Sequence, residues 1–169
     1  MDKDLLKVKV CAAIDDSAAE IEALANSIAD EPELGFKEVK TSAKVAEFMR
    51  NLGLDPQMGL AINGVKARAK GCKAGPTAAV IGELDAVGCP DSCKADPMTG
   101  AAHACGDNLQ IASMLGAACG IMKSGVMEHL AGDAVFFAVP AEEYIEIAYR
   151  KKLREQGKLH FLSGKGQLI

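Results

Sequence analysis

The spacing of hydrophobic residues predicts helices near the start of the chain. Apolar residues recur at helical intervals after residues 17–20 (SAAE), which match a capping box, and the pattern stops at Pro32. A helix from about 16 to 30 is therefore predicted. The apolar residues between 5 and 10 fit either a short strand or an extension of this helix, so the pattern leaves their structure open.

Three more helices are predicted further along the chain. Thr41 or Ser42 can cap a helix that ends at Gly53. A longer helix is predicted over 108–123, and a last one over 145–156. The residues predicted to face inward on the longer helix are Leu109, Ala112, Leu115, Ala118 or Cys119, and Met122.

Alternating and continuous apolar patterns predict three strands. Residues 65–70 alternate between apolar and charged, which indicates one wet face, whereas 77–81 and 134–139 are continuously apolar, which is typical of buried strands. The turn residues over 71–76 favour a hairpin-like reversal between the first two strands. Helices that alternate with buried strands predict an α/β layered fold, with helices on both faces of a sheet.

The charge balance of the chain argues against some classes of partner. The formal net charge is -4, the isoelectric point is about 5.4, and no basic patch of the kind that binds nucleic acid is found. The basic run over 150–154 is interpreted as the solvated face of a helix. The sequence has neither a long apolar span nor the apolar core of a signal peptide, so a cytoplasmic location without membrane contact is predicted.

Six cysteines occur in the sequence. Their spread through an acidic chain without a secretion signal favours reduced thiols over disulfides. Cys89 and Cys93 have C-x3-C spacing, which is a weak zinc signal without a second pair. Two incidental thiols in a loop explain the same spacing.

Polar side chains collect in three segments that lie where a buried strand stops or a helix starts. Residues 82–86 (GELDA) follow the first buried strand, and residues 140–143 (PAEE) follow the second. Between them, residues 103–108 (HACGDN) lie immediately before the long helix. Ligands of open α/β sheets bind outside the carboxyl ends of the strands, so we expect the three segments to converge.

A thiol, carboxylates and an imidazole in one cleft can form a mixed-ligand site for zinc or a related divalent metal. In such a site Glu143 would bind the metal, while Glu142 would take a proton from a metal-bound water. Each residue also has an ordinary explanation. Glu142 and Glu143 can begin the following helix, Asp107 can cap the long helix, and His103 can be a hydrogen-bonded structural residue.

Five segments, in their order along the chain, resemble landmarks of the M20 amidohydrolases. The match is closest to the aminoacylase-like branch, which hydrolyses N-acyl amino acids, aminobenzoyl-glutamate and some dipeptides. It extends from about Ile14 to the end of the chain, and the combination of HACG with PAEE is highly specific. The five segments are 32–38 (PELGFKE), 75–77 (GPT), 83–87 (ELDAV), 99–106 (TGAAHACG) and 140–143 (PAEE).

The resemblance implies a site with two divalent ions, zinc foremost and manganese or cobalt as alternatives. Cys105 and Glu143 correspond to metal ligands, Glu142 to the general base, and Asp85 to a residue that orients a ligand or steadies the metal charge. The implied fold is a three-layer α-β-α sandwich with a mixed sheet, like that of Zn-dependent exopeptidases. The implied reaction is hydrolysis of an amide bond in N-acyl amino acids or dipeptide-like substrates by a metal-activated water.

The chain departs from the family pattern in two ways. Asp107 stands where the family has a ligand histidine after HACG, and a carboxylate is a harder ligand that would shift the metal preference. The sequence also ends soon after PAEE, so residues 1–169 are predicted to be a truncated catalytic domain without the lid and dimerisation domain or the C-terminal part of the catalytic domain. His129 and His160 do not match the later ligands of the family and are predicted to lie on the surface.

These features lead to three hypotheses. The chain is part of a metal-dependent amidohydrolase, or a non-catalytic remnant that binds metal or a partner, or a thiol-based redox or metal sensor that uses Cys89, Cys93 and Cys105. A truncated sheet should expose an edge or an apolar patch. The predicted partner is therefore a second copy of the chain or a complementing C-terminal fragment, besides the small-molecule substrate.

Overall fold

The computed structural model describes residues 2–168, which form an α/β domain. The helices are α1 (Lys3–Asp15), α2 (Ala18–Ala29), α3 (Val39–Asn51), α4 (Asp107–Lys123), α5 (Ile147–Glu155) and α6 (Gly164–Gln167), with a 3-10 turn at Val126–His129. The strands are β1 (Gln57–Leu60), β2 (Gly64–Ala69), β3 (Lys73–Glu83), β4 (Val87–Gly88), β5 (Ala101–Ala102) and β6 (Ala131–Val139). Over this range no helix is both long and apolar enough to cross a membrane.

The start of the chain forms two helices, of which the second is the predicted one. The undecided residues between 5 and 10 are helical, within α1, and the predicted helix over 16–30 begins at Ala18 as α2. The predicted capping box is wrong, because the Ser17 hydroxyl donates back to the Ala13 carbonyl oxygen at 2.8 Å. Glu20 instead pairs with Lys123 of α4 at 3.0 Å. Because α1 and α2 follow each other closely, the Ser17 hydroxyl bonds the last turn of α1 and does not cap α2.

Helix α3 begins earlier than its predicted caps. Thr41 and Ser42 lie inside the helix and are buried, so neither is the N-cap. Glu33, in the preceding loop, accepts hydrogen bonds from the backbone N–H of Lys40 at 3.1 Å and of Thr41 at 2.8 Å. A distant carboxylate thus satisfies the first turn, as a local cap would.

The main sheet has the strand order β1-β2-β6-β3, with β2 antiparallel and β3 parallel to β6. The chain reverses direction between β2 and β3, as the turn residues over 71–76 predict, but the two strands do not pair as a hairpin, because β6 lies between them. Turn residues show where the chain changes direction, but they do not show which strand pairs with those on either side of the turn. The connection from β3 through α4 to β6 is the long crossover that parallel neighbours require. The predicted α/β class with a mixed sheet is confirmed.

The main core joins one face of this sheet to helices α2, α3 and α4. The predicted strand over 65–70 has the expected alternation, with Val65 and Ala67 buried and Arg68 exposed. On α4, Ala112, Leu115, Ala118 and Cys119 are buried as predicted, and Met122 is half-buried. Leu109 is the exception, since it is 60% exposed and lies beside β3 rather than in the core.

Strand β3 is exposed, although its continuous apolar sequence predicts a buried strand. It pairs only with β6, so it is an edge strand within the described residues. Residues 77–79 are exposed, and Ile81 is 52% exposed. The other predicted buried strand, 134–139, is confirmed as part of β6, which has a partner on each side.

Candidate metal centre

The three polar segments of the sequence meet at the carboxyl ends of β3 and β6. These strands are adjacent and parallel, so the loops that follow them lie at the same edge of the sheet. The carboxylate of Asp85, after β3, accepts the backbone N–H of Glu142 at 2.8 Å and that of Glu143 at 3.1 Å, after β6. The predicted convergence of these two segments is thus present as direct hydrogen bonds.

Asp85 is fully buried beneath this loop. Burial raises the pKa of its carboxyl to about 6, against the opposing effect of the two N–H donors. Because both carboxylate oxygens bond the backbone of successive residues, Asp85 fixes the direction in which Glu142 and Glu143 project. It contacts the segment that bears the two glutamates rather than their side chains.

Cys105 lies next to Glu143. A hydrogen bond between the Cys105 thiol and the Glu143 carboxylate, together with the negative charges of Glu143 and Asp107, raises the pKa of the thiol to about 11. Gly106, at a φ of 110°, turns the chain from Cys105 into α4. Cys105 is exposed, so the thiol and the carboxylate meet at the protein surface.

Asp107 is the first residue of α4 and is buried. Its Oδ1 accepts a hydrogen bond from Gln110 at 2.9 Å, whereas its Oδ2 is buried and has no hydrogen-bond partner in the part of the chain that the structure describes. The N-cap of α4 is Gly106 and Asp107 lies inside the first turn, so Asp107 is not the predicted cap. Burial, followed by the negative charges of Glu83 and Asp85, raises the pKa of Asp107 to about 7.

A cluster of five acidic residues therefore surrounds the meeting point of the loops: Glu83, Asp85, Asp107, Glu142 and Glu143. A cation would relieve their mutual repulsion and give a partner to the free oxygen of Asp107. A sulfur and carboxylates are also donors that zinc accepts. Chemically, the residues present fit a divalent metal.

The ligands are nevertheless not gathered into a ready-made metal site. Among residues 2–168, no group of three or more His, Cys, Asp or Glu side chains is placed to hold a metal ion. His103 is half-buried, both of its ring nitrogens are buried without partners, and burial lowers its pKa to about 4. It is therefore neither the hydrogen-bonded structural histidine nor a member of such a group. His129 and His160 are exposed, as predicted.

Lys165 is a site residue for which the sequence offers no signal. It reaches from α6 to Glu142, with Nζ 3.2 Å from Oε1, and it also pairs with Glu83. Glu83 in turn accepts a hydrogen bond from Gln110 at 2.8 Å. From the sequence, a lysine in a Gly- and Lys-rich tail would be predicted to lie in solvent. Only the fold of this segment brings Lys165 to Glu83 and Glu142.

Arg150 is a second residue whose role the sequence does not show. The prediction of a solvated basic face is wrong for this residue, because Arg150 is fully buried. Its guanidinium donates to the carbonyl oxygen of Ala141 at 3.1 Å, to that of Leu162 at 2.8 Å, and to that of Glu143. It also lies 5.3 Å from the centre of the Phe36 ring. Arg150 thus stabilises the PAEE loop from the protein interior, through the carbonyl oxygens of Ala141 and Glu143.

Glu38 completes this support. It is fully buried, its Oε1 accepts the backbone N–H of Ala141 at 2.8 Å, and its Oε2 accepts from Asn63 at 2.9 Å. Ala141 has a φ of 51°, a strained conformation for an alanine. Three buried charged residues, Glu38, Asp85 and Arg150, therefore hold the backbone of 141–143 in a conformation that it would not adopt alone.

Glu38 should make the stability of the metal-free protein depend on pH. Burial raises its pKa from 4.5 to about 7, so the folded state binds more protons than the unfolded state between these values. The stabilisation is complete below about 4.5 and is lost as the pH rises through about 7. Asp85 and Asp107 act in the same direction, whereas His103 acts in the opposite one.

Urea unfolding of the wild type and of Glu38→Gln across this pH range measures the effect. We expect a shallower decline in the free energy of unfolding for the variant, since glutamine can accept the same N–H but does not titrate. Glu47→Gln, an exposed change on α3, is the matched control and should keep the wild-type slope. If the free energy of unfolding of the wild type and of Glu38→Gln declined equally with pH, Glu38 would not be the source of the pH dependence.

Fold and site together define an α/β domain with a cluster of carboxylates and a cysteine at the carboxyl ends of two parallel strands. No protein-family model matches the chain. Two curated relatives are each 30% identical to it: thermostable carboxypeptidase 2 of Saccharolobus solfataricus, over 137 residues, and N-acetylcysteine deacetylase of Bacillus subtilis, over 141 residues. Each alignment covers 79% of this chain, and 34% and 35% of the respective relatives.

A solved structure shares the fold. It is the YXEP protein of Bacillus subtilis, described as a dinuclear metal-binding peptidase from the M20 family, with a TM-score of 0.65 and 28% identity over 84% of this chain and 40% of that one. The chain belongs to the M20 family of peptidases and amidohydrolases. It spans about a third of the length of the curated relatives that it matches.

Proposed function

We propose that this chain forms part of a metal-dependent amidohydrolase that cleaves amide bonds in N-acyl amino acids or dipeptide-like substrates. The observation that carries the proposal is the bonding of Asp85 to the backbone of Glu142 and Glu143, with Cys105 against the Glu143 carboxylate. The names of the relatives, a carboxypeptidase and an N-acetylcysteine deacetylase, support the substrate class. A cytoplasmic location stays a prediction.

Cys105, Asp107 and Glu143 would hold a divalent cation, with zinc as the first choice and manganese or cobalt as alternatives. When bound, the cation supplies Lewis acidity to the substrate carbonyl and to the attacking water. Two ions are proposed for the complete site. Among residues 2–168 no three such side chains are already placed to hold an ion, so the proposal needs further ligands besides these three. A second copy or a complementing C-terminal fragment is the proposed source.

Glu142 is the proposed general base. Its carboxylate takes a proton from the attacking water and passes it to the leaving amine nitrogen, so the water supplies both the hydroxyl of the new acid and the proton of the amine. Lys165 pairs with Oε1 of Glu142, so the proton transfer either uses Oε2 or requires this ion pair to open. Asp85 keeps the two neighbouring glutamates pointed in separate directions.

A zinc titration by calorimetry on the full chain tests the ligand assignment. We expect Cys105→Ser and Glu143→Gln each to weaken zinc binding about tenfold or more, because each removes a donor. Cys93→Ser removes an exposed thiol and is the matched control for the cysteine. Identical zinc affinity for Cys105→Ser and Cys93→Ser would refute a role for Cys105.

The two alternative functions predict different results for zinc binding, for amide hydrolysis and for the reactivity of the thiol. A non-catalytic remnant binds zinc through the same residues but hydrolyses no amide in any assembly. A thiol-based sensor needs a reactive thiolate, and the raised pKa of Cys105 keeps that thiol protonated. The structure thus gives the sensor hypothesis no support at Cys105.

A further inference from the structure

Glu142 and Glu143 are adjacent in sequence, yet their side chains have different partners. The Glu143 carboxylate lies against the Cys105 thiol, whereas Glu142 pairs with the Lys165 ammonium at 3.2 Å. The support from Asp85 does not explain this difference, because its two carboxylate oxygens bond the backbone N–H groups of both glutamates. The side-chain partners of the two glutamates therefore decide what each carboxylate can do.

Lys165 is brought to the PAEE loop by the backbone of the short helix that carries it. The N–H of Gly164 donates to the carbonyl oxygen of Ala141 at 3.2 Å, so α6 is anchored directly on the loop. A Cβ atom at Gly164 would overlap the carbonyl oxygen of Pro140, so only glycine allows this close approach. The position of the lysine relative to the loop is thus set by backbone contacts next to it.

Hydrogen bonds and ion pairs link Lys165 to a proposed metal ligand. The Lys165 ammonium also pairs with Glu83, whose Oε2 accepts from the Gln110 amide at 2.8 Å. The same amide donates to Oδ1 of Asp107 at 2.9 Å. The Glu83 side chain is 12% exposed, whereas that of Glu142 is 34% exposed. Lys165 therefore connects a well-buried carboxylate to the more exposed carboxylate of the proposed base.

The charge of Lys165 affects what Glu142 can bind. An ammonium between Glu83 and Glu142 offsets negative charge that would otherwise attract a divalent cation. A protonated lysine only donates hydrogen bonds, so it cannot itself take a place among the metal ligands. The Glu142 carboxylate that it holds at Oε1 is left to proton transfer through Oε2, while Glu143 is left to the metal.

We propose that Lys165 is a positioning residue that keeps Glu142 out of the metal's coordination shell and so gives the two adjacent glutamates their separate roles. The inference deepens the proposed function and rests on the metal site proposed there. Asp85 fixes the backbone of both glutamates, and Lys165 fixes the side chain of the first. Without the lysine, Glu142 becomes an additional carboxylate ligand for the cation.

A double-mutant cycle of Lys165→Met and Glu142→Gln, with zinc titrated into the full chain by calorimetry, tests this role. Lys165→Met should bind zinc about tenfold more tightly than the wild type, because it gains a ligand. Glu142→Gln should weaken zinc binding by less than about threefold in the wild type but about tenfold in the Lys165→Met background. Lys165→Arg keeps a cation at this position and should bind zinc as the wild type does. Lys158→Met removes an exposed lysine and is the matched control, with wild-type affinity expected.

The cycle separates this role from a simple effect of charge. Charges at fixed positions act additively on a bound cation, so Glu142→Gln would then have the same effect in both backgrounds. Equal effects in both backgrounds, or wild-type affinity in Lys165→Met, overturn the role of Lys165 and leave the hydrolase proposal intact. If neither the wild type nor any variant binds zinc, the proposed metal site is overturned, and the role of Lys165 with it.

Discussion

Arg150→Met should lower the free energy of unfolding by about 3 to 5 kcal/mol, as expected when one member of a buried charged network is removed. Methionine fills similar space but donates no hydrogen bond. The carbonyl oxygens of Glu143 and Leu162 would lose the guanidinium, and Ala141 would keep only its bond from the Gly164 N–H, at 3.2 Å. The positive charge that faces Glu38 and Asp85 would disappear as well.

Urea denaturation followed by circular dichroism measures this loss. Arg154→Met is the matched control, because Arg154 lies on the same helix, α5, and is exposed, so a change within about 0.5 kcal/mol is expected. Arg150→Lys keeps the charge but not the planar fork, and should fall between the two. If Arg150→Met cost no more than the control, the PAEE loop would be held by Glu38 and Asp85 alone.

The helices could be predicted from the sequence because their signal is local. The spacing of apolar residues located α3, α4 and α5 to within a few residues, since the same side chains that repeat along the sequence form the buried face. The neighbours of a strand are not local. Nothing in residues 71–76 shows that β6 lies between β2 and β3, because β6 (Ala131–Val139) is far from this segment in the sequence.

Arg150 shows the same limit at the level of one side chain. Its neighbours in sequence are basic and exposed, and a periodic pattern therefore assigns it to the wet face of α5. Its burial depends on carbonyl groups of Ala141, Glu143 and Leu162, which the loop geometry alone brings together. Burial of a charge is decided by such partners, not by the hydrophobicity of the residue.

The candidate site was partly predictable for a topological reason. Loops that follow adjacent parallel strands share one edge of the sheet, so the proximity of Asp85 to Glu142 and Glu143 follows once both strands are recognised. Lys165 and Glu38 follow no such rule. Lys165 reaches the site from a segment with no chemical motif. Glu38 ends the family-like segment 32–38, but nothing in that segment indicates its hydrogen bond to the backbone of Ala141.

Glu142→Gln should reduce kcat by about 100-fold to 10,000-fold in an assembly of this chain that hydrolyses an N-acyl amino acid, while its zinc content stays unchanged. Glutamine has nearly the shape of glutamate but cannot accept the proton of the attacking water. The carboxylate proposed to hold the metal belongs to Glu143, whose side chain lies against Cys105. The substitution should therefore separate turnover from metal binding.

Glu143→Gln is the matched change one residue away, and it should lose both zinc and turnover. The comparison is informative because Asp85 holds the two backbone N–H groups in the same way, so the variants differ in the side chain and not in the support of the loop. Inductively coupled plasma mass spectrometry gives the metal content, and initial rates give kcat. Loss of zinc in Glu142→Gln with retention in Glu143→Gln would mean that the roles of the two glutamates are exchanged.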